Sequence, residues 1–252
     1  MKLQRKDKII KLLTENHIMK ANEMAKIFGV SMETIRRDMS ELETEGVIRR
    51  VHGGAILNTA YNLEPDYSNR EMSQFEEKLL IGKKAVSMVA DGDTIIIDIG
   101  TTTLEFAKML KGKKKVTVIT NSLLIALALL NDPDIHVIML GGNIRMGEGT
   151  ASGFWAEEMV DQFYVDKLFL GAGAVSAEHG IMDFNTTETN LRRHFIRHAK
   201  QTIALADYTK LGIKALNIVC GFSELDYLIT DEQADKKMLK LIREQGVEVI
   251  TV

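Results

Sequence analysis

Five short segments of this 252-residue chain carry residue types suited to holding an anion. They are Gly100-Thr101-Thr102-Thr103, Asn121-Ser122, Gly141-Gly142, Gly171-Ala172-Gly173, and Asp207 with Lys210. Each closely follows or ends a run of apolar residues. Backbone N–H groups in such turns, threonine hydroxyls and a helix N-terminus together give a phosphate several donors, and Lys210 adds a cation. Any one segment is also an ordinary way for a strand to turn into a helix, and Thr101 or Thr102 serves equally as an N-cap. Their recurrence at successive strand ends points to a shared pocket. The run "GTTT" is neither a Walker loop nor a full dinucleotide fingerprint, so a nucleotide is not indicated. His136, His179, His194 and His198 lack the spacing of a metal site, and His194 and His198, on one helix face, have no third ligand in view. Neither metal nor cofactor is expected.

A second chemistry lies near the N-terminus. In "ANEMAKIFGVSMETIRRDMSELETEG" the residues Ala25, Gly29 and Val30 suit the tight crossing of two helices, and Ile35 is spaced to lock the second onto the first. That second helix presents Ser31, Met32, Thr34, Arg36, Arg37 and Asp38 in the half that meets base edges when such a motif docks in the major groove. An arginine there can bind guanine O6 and N7 together. Arg49, Arg50 and His52 beside Gly53 and Gly54 form a basic turn able to reach phosphates or the neighbouring minor groove. Charge runs also simply face water, and Asp38 is expected to pair within the protein. His17 reads as structural or solvated. The coincidence of turn, arginine pair and glycine-rich basic wing selects DNA binding.

Local periodicity supplies the elements that hold these residues. Ile9, Ile10, Leu12 and Leu13 mark one helix face, residues 21–28 a second helix, and Ile35, Met39 and Leu42 the buried face of a third that stops near Gly46. "VIRRVHGGAI" reads as two strands about a turn, completing a winged helix-turn-helix over residues 1–57. Residues 58–72 lose periodicity and hold one of two prolines, as a linker would. From 73 to 252 a helix over 74–90 is followed by apolar runs at 94–99, 116–120, 135–140, 167–171, 202–206, 216–220, 226–230 and 247–251, with helical stretches at 102–111, 122–131, 187–200 and 235–245 among them. Such runs suit a mostly parallel sheet covered on both faces, hence an α/β domain.

Composition agrees. A 45% hydrophobic content supports a core, and residues 1–57 hold 11 lysines and arginines against 8 acids, a net of +3, leaving −6 for the rest of a chain whose total is −3. A basic head on an acidic body places a polyanion at the head only. Nothing approaches a membrane span or a secretion signal, so a cytoplasmic location is expected. Cys220, the single cysteine, reads as a small buried hydrophobe.

These residues carry a resemblance. "S-x-x-T-I-R-R-D" and "R-x-H-G-G-A" resemble the N-terminal signature of DeoR/GlpR-type bacterial transcriptional regulators. "DGDTIIIDIGTTT", "VTVITNS", "VIMLGGNIRMGEGTASG", "DKLFLGAGAV" and "ALADYTKLG" look like blocks of the DeoR C-terminal sensor domain, in order over nearly the whole chain. The resemblance implies DNA contacts at Ser31, Thr34, Arg36, Arg37, Arg49, Arg50 and the wing glycines. It implies a sensor fold similar to ribose-5-phosphate isomerase, with Lys78, Asp98, Gly100 to Thr103, Asn121, Ser122, Gly141, Gly142, Asp207 and Lys210 lining an effector site. Many members have an aspartate where this chain has Gly173, and Asp183 or Glu188 in "GIMDFNTTETN" is the candidate replacement.

The expectation is therefore a repressor of a carbohydrate-use operon that binds double-stranded operator DNA as a homo-oligomer, dimer or tetramer, and is released by a phosphorylated sugar. The alternative is an isomerase- or deaminase-like enzyme fused to a DNA-binding domain, with Glu188, Asp183, Asp207 and Lys210 as acid–base groups. Turnover would destroy the signal such a fusion is built to measure.

Overall fold

A computed structural model describes residues 2–16, 18–44, 47–51, 54–57 and 64–252. The chain divides into two compact units, Met1–Pro65 and Asp66–Val252.

In the first unit, α1 (Lys2–Asn16) and β1 (Ile18–Lys20) precede α2 (Ala21–Phe28) and α3 (Met32–Thr44), then β2 (Ile48–Val51) and β3 (Gly54–Leu57). The strands form an antiparallel sheet in the order β1-β3-β2. Ile9, Leu13, Met24, Ile35, Met39, Leu42 and Ile48 are fully buried in one core, the helix faces that periodicity selects. His17, His52, Gly53 and residues 58–63 lie outside the described residues.

The second unit opens seven residues earlier than the expected 73. Tyr67–Met72 is a helix, α4, where the loss of periodicity predicts linker. With Met72 its only aliphatic side chain, "YSNREM" gives no apolar periodicity, and its neighbours, not its own sequence, hold it helical. After it come α5 (Phe75–Ser87), β4 (Thr94–Ile97), α6 (Thr101–Lys108), β5 (Val116–Thr120), α7 (Leu123–Leu129) and β6 (Ile135–Met139). A hairpin of β7 (Asn143–Arg145) and β8 (Thr150–Ser152) leads to α8 (Phe154–Val160), β9 (Val165–Gly171), β10 (Ala174–Ser176), β11 (Gly180–Asp183) and α9 (Thr186–Arg197). The chain ends with β12 (Ala199–Leu205), β13 (Asn217–Cys220), β14 (Tyr227–Thr230), α10 (Lys236–Arg243) and β15 (Glu248–Thr251).

Seven strands make one parallel sheet in the order β15-β14-β12-β9-β4-β5-β6. The expected run at 216–220 is a strand but not part of it. As β13 it pairs antiparallel with β11, and with β10 forms a separate three-stranded sheet. Side-chain alternation sorts the main sheet's residues into two cores. Ile95 and Ile97 join Ile81, Phe106, Ile125 and Phe169 under α5, α6 and α7. Ile96 joins Val160, Phe195, Leu228 and Ile242 under α8, α9 and α10. Each such side chain contributes roughly 1.5–3 kcal/mol when fully buried. Among the described residues no helix is long and apolar enough to cross a membrane.

From β4 the chain runs outward to β5 and β6, then returns to β9 on the other side. The sheet's order therefore reverses between β4 and β9, and a crevice at the carboxyl ends of those strands is where ligands collect in open α/β sheets.

Candidate functional site

Helix α2 ends at Gly29, whose φ of +63° lets the chain reverse while Val30 N–H closes on Ala25 O at 3.1 Å. Ser31 then caps α3: its Oγ accepts from Thr34 N–H at 3.2 Å and lies 2.8 Å from Thr34 Oγ1. The cap role occupies Ser31 before any DNA is present. Ile35, Asp38, Met39 and Leu42 face inward, leaving Met32, Arg36 and Arg37 exposed on the opposite face. Asp38 takes a two-pronged bond from Arg5 (2.5 and 3.1 Å), pinning α1 to α3, and Asp38 keeps Arg5's guanidinium above its ordinary value. Arg37 Nε is 3.5 Å from Glu41, whereas Arg36 makes no ion pair with a described residue. Arg50 is fastened to the same helix, its N–H donating to Glu43 Oε1 at 3.0 Å and its Nη1 to Ser40 Oγ at 3.3 Å.

Gly54 has a different place from the one expected. It is buried at the start of β3, and a Cβ there would sit 2.1 Å from Met19 O. The glycine is required by strand contact with β1. For Arg49 only the backbone, in β2, is described.

In the second unit the parallel sheet brings all the named strand ends to one edge. Thr101, Thr102 and Thr103 form the first turn of α6, all buried, with Thr103 Oγ1 donating to Gly100 O at 2.9 Å. Ser122 caps α7, and Asn121 Nδ2 donates to Thr150 Oγ1 at 3.0 Å. Gly141 N–H reaches Met159 Sδ at 3.2 Å, and Gly142 packs where a Cβ would meet Ser152 O at 2.6 Å. Asp207 caps the turn that carries Lys210, accepting from Thr209 N–H at 3.0 Å.

Three of the four acidic candidates, Asp98, Asp183 and Glu188, belong to one buried network. Asp98, at the end of β4, accepts from Gly171 N–H at 3.1 Å and from Arg192 Nε at 2.7 Å, joining β4 to β9 and α9 at the reversal point. Arg192 Nη1 lies 2.6 Å from Asp183 Oδ2, a close ion pair without hydrogen-bond alignment. Burial holds the Asp98 carboxyl above its ordinary value against the pull of Arg192. Burial also opposes charge on Arg192, but Asp183, Asp98 and Glu188 outweigh it and keep the guanidinium protonated. Glu188, in the first turn of α9, takes two 3.3 Å bonds from Arg145 of the hairpin. At Gly173 a Cβ would lie 2.8 Å from Asp183 Oδ2, so Asp183 fills the space a side chain at 173 would enter. Asp98 Oδ1 and Asn121 Oδ1 are buried without a hydrogen-bond partner among the described residues.

Lys78, on α5, is 2% exposed and donates to Ser73 O at 2.6 Å and to Arg70 O. Burial lowers its pKa to about 8, with Asp207 pulling the other way and Lys210 adding to the drop. Lys78 thus sits within electrostatic reach of the Asp207–Lys210 turn.

Arg192, Arg145, Arg70, Glu148 and Thr150 join this edge without a local sequence pattern that marks them as site residues. Arg192 alone left a trace, a charged residue four after Glu188 and between Leu191 and Phe195 on a buried helix face. Cys220 is buried, which pushes its thiol up to about 12, as an inert hydrophobe requires. His194 and His198 both touch Asp161 Oδ1, at 2.7 and 2.9 Å, and among the described residues no cluster is arranged to hold a metal ion.

Comparison with known proteins covers both units. Residues 5–60 match the DeoR-like helix-turn-helix domain, and residues 73–232 the DeoR C terminal sensor domain. The HTH-type transcriptional regulator GolR of Listeria innocua is 35% identical over 246 residues, 98% of this chain and 97% of the relative. A putative aga operon transcriptional repressor of Escherichia coli O157:H7 is 31% identical over 251 residues, 99% and 93% of the two chains. Among solved structures, ribose 5-phosphate isomerase A from Methanocaldococcus jannaschii aligns at 21% identity over 55% of each chain, with a TM-score of 0.41.

Proposed function

The chain belongs to the DeoR family of DNA-binding transcriptional regulators, and from that premise we propose that it represses a carbohydrate-use operon and is released by a phosphorylated sugar. The observation that carries the sensing half is the mix of donors and unpartnered buried acceptors along the carboxyl ends of the parallel strands. This edge offers the first-turn amides of α6 from Thr101 to Thr103, the Thr101 and Thr102 hydroxyls and the Lys78 and Lys210 ammoniums, all suited to a phosphate. Along the same strand ends lie Asp98 Oδ1 and Asn121 Oδ1, buried acceptors without a partner among the described residues that sugar hydroxyls would satisfy. Gly141, Gly142 and Ser122 shape the walls, and Asp183 takes the role of a carboxylate at 173. As a regulator of operator DNA it works in the cytoplasm.

The same geometry argues against turnover. An isomerase base must reach a substrate proton, yet Asp98, Asp183 and Glu188 are held by Arg192 and Arg145, and Asp207 caps its own turn.

On the DNA side, Met32, Thr34, Arg36 and Arg37 of α3 supply the groove contacts, with Ser31, Arg49, Arg50, His52 and Gly53 toward the backbone. One small head covers few base pairs, so a dimer or tetramer reading repeated half-sites is proposed. Arg36→Ala is expected to weaken binding to a selected duplex by ~1–3 kcal/mol if it reads a guanine. Gel-shift titration of both proteins measures this, and unchanged affinity removes Arg36 from the interface.

A thermal-shift panel on the full chain tests the effector reading. A true effector at a hundredfold its Kd adds about 2.7 kcal/mol, or roughly 5–10 °C for a unit of this size. Candidates are glucose 6-phosphate, fructose 6-phosphate, fructose 1-phosphate and N-acetylgalactosamine 6-phosphate, with the unphosphorylated sugars and inorganic phosphate as controls. A shift with the free sugars alone would sink the phosphate assignment.

The lowered pKa of Lys78 sets a pH dependence. Above about 8 the unliganded protein loses this cation, while a bound dianion would keep it protonated. Affinity for the sugar phosphate is therefore expected to fall about tenfold between pH 7 and 9 by proton linkage, measured by calorimetry. A flat profile excludes Lys78 from the anion's surroundings.

A further inference from the structure

We propose that helix α4 is the relay between the sensing edge and the DNA-reading unit, held in place by polar ties that a bound anion loosens. The proposal rests on the effector reading above and adds how occupancy is reported. Helix α4 begins two residues after Pro65, where the chain leaves the DNA-reading unit. At six residues and with no buried side chain it is far too short to persist by itself. It packs against α6, whose first turn is the proposed phosphate cradle.

Its other ties lead to the same edge. Arg70 forms an ion pair with Glu148, a residue 7% exposed at the tip of the β7–β8 hairpin, and its guanidinium lies 5.4 Å over the Tyr67 ring. Two residues beyond Glu148, Thr150 holds Asn121. The Lys78 ammonium closes the C-terminal end of α4 through the carbonyls of Arg70 and Ser73, within reach of Asp207 and Lys210. A helix positioned by charge contacts rather than by apolar burial belongs to the low-stability end of a fold, from which switching elements are drawn. An anion seated on the α6 turn competes with those two carbonyls for Lys78. Moving the ammonium toward it leaves the end of α4 uncapped. The edge therefore binds its ligand more tightly when α4 is loose, which is the differential affinity that coupling requires.

Hydrogen exchange on the full chain, with glucose 6-phosphate, fructose 6-phosphate and inorganic phosphate as separate probes, reads this directly. In the free protein Arg70 N–H bonds Asp66 O at 3.0 Å and Ser73 N–H bonds Asn69 O at 3.1 Å. A probe that binds is expected to speed exchange of these two amides about tenfold or more as α4 opens. Unchanged or slowed exchange with the probe bound overturns the relay. The second arm is Arg70→Gln/Glu148→Gln, which cuts a tie outside the proposed anion contacts. Because it loosens α4, it should bind the probe at least as tightly as wild type, while the factor by which the probe weakens DNA binding drops at least about fivefold. Binding with undiminished release overturns the relay and leaves the effector reading standing. If the wild type binds none of the three probes and shows no exchange change, both fall. Should the double variant not fold, the wild-type exchange result decides.

Discussion

Arg192→Met is expected to destabilise the sensor unit by roughly 3–5 kcal/mol, the usual consequence of removing one partner from a buried ion network. The guanidinium is 5% exposed and neutralises Asp98, itself fully buried, together with Asp183. Methionine keeps an unbranched apolar stem but removes the guanidinium and its charge, so two carboxylates must either take up protons or draw in water. Chemical denaturation followed by a sensor-unit probe measures the loss. Adding Asp98→Asn and Asp183→Asn to Arg192→Met should recover much of it, because neutral amides need no cation. A triple variant no more stable than the single one would show that packing, not charge, is what Arg192 supplies. The edge is defined by this network, so the single variant is also expected to lose its response to sugar phosphates.

Gly54→Ala is expected to remove DNA binding without touching a DNA contact. A Cβ at residue 54 would stand 2.1 Å from the backbone oxygen of Met19, with Lys20 Cα at 2.9 Å. Backbone atoms of a paired strand cannot rotate away as a side-chain tip can, so β1 and β3 must part. The strain is about 3 kcal/mol, the upper part of the range for overpacking, and it falls on the smaller unit, with less core to absorb it. Two melting transitions should separate, with the first moved to lower temperature and the sensor unit's unchanged. If the head stays folded and only operator affinity falls, Gly54 is at the DNA after all.

The sequence was informative where local chemistry decides the outcome. Ile35, Met39 and Leu42 lie on the buried face of α3 as their spacing requires, Gly29 turns with positive φ, and Asp38 is paired within the protein. Continuous Ile and Val runs found seven strands of the parallel sheet, and the polar strand ends fall along one edge because parallel strands place all such ends together. What stayed hidden depends on pairing between distant residues. The run at 216–220 carries no mark that it joins β11 rather than the main sheet, and the β7–β8 hairpin is too short and too polar to announce itself. The acidic candidates illustrate the same limit. Asp98, Asp183 and Glu188 were recognisable as carboxylates near a site, but only the fold shows that Arg192 and Arg145 engage them. A buried arginine 94 residues from its partner has no local signature. The early start of the second unit had the same cause, since α4 is helical through contacts with Glu148, Lys78 and α6 that its own residues do not encode.

The central claim is that a phosphorylated sugar weakens operator binding through the sensor unit. It is tested most directly by fluorescence anisotropy of the full chain on a duplex it selects from a randomised pool, titrated with the sugar phosphates that raise its melting temperature. At least one is expected to release the DNA, raising the apparent Kd about 5–150-fold, the span of ordinary coupling energies, with its unphosphorylated sugar inactive at the same concentration. Tight, sequence-specific binding that none of them changes would contradict the claim.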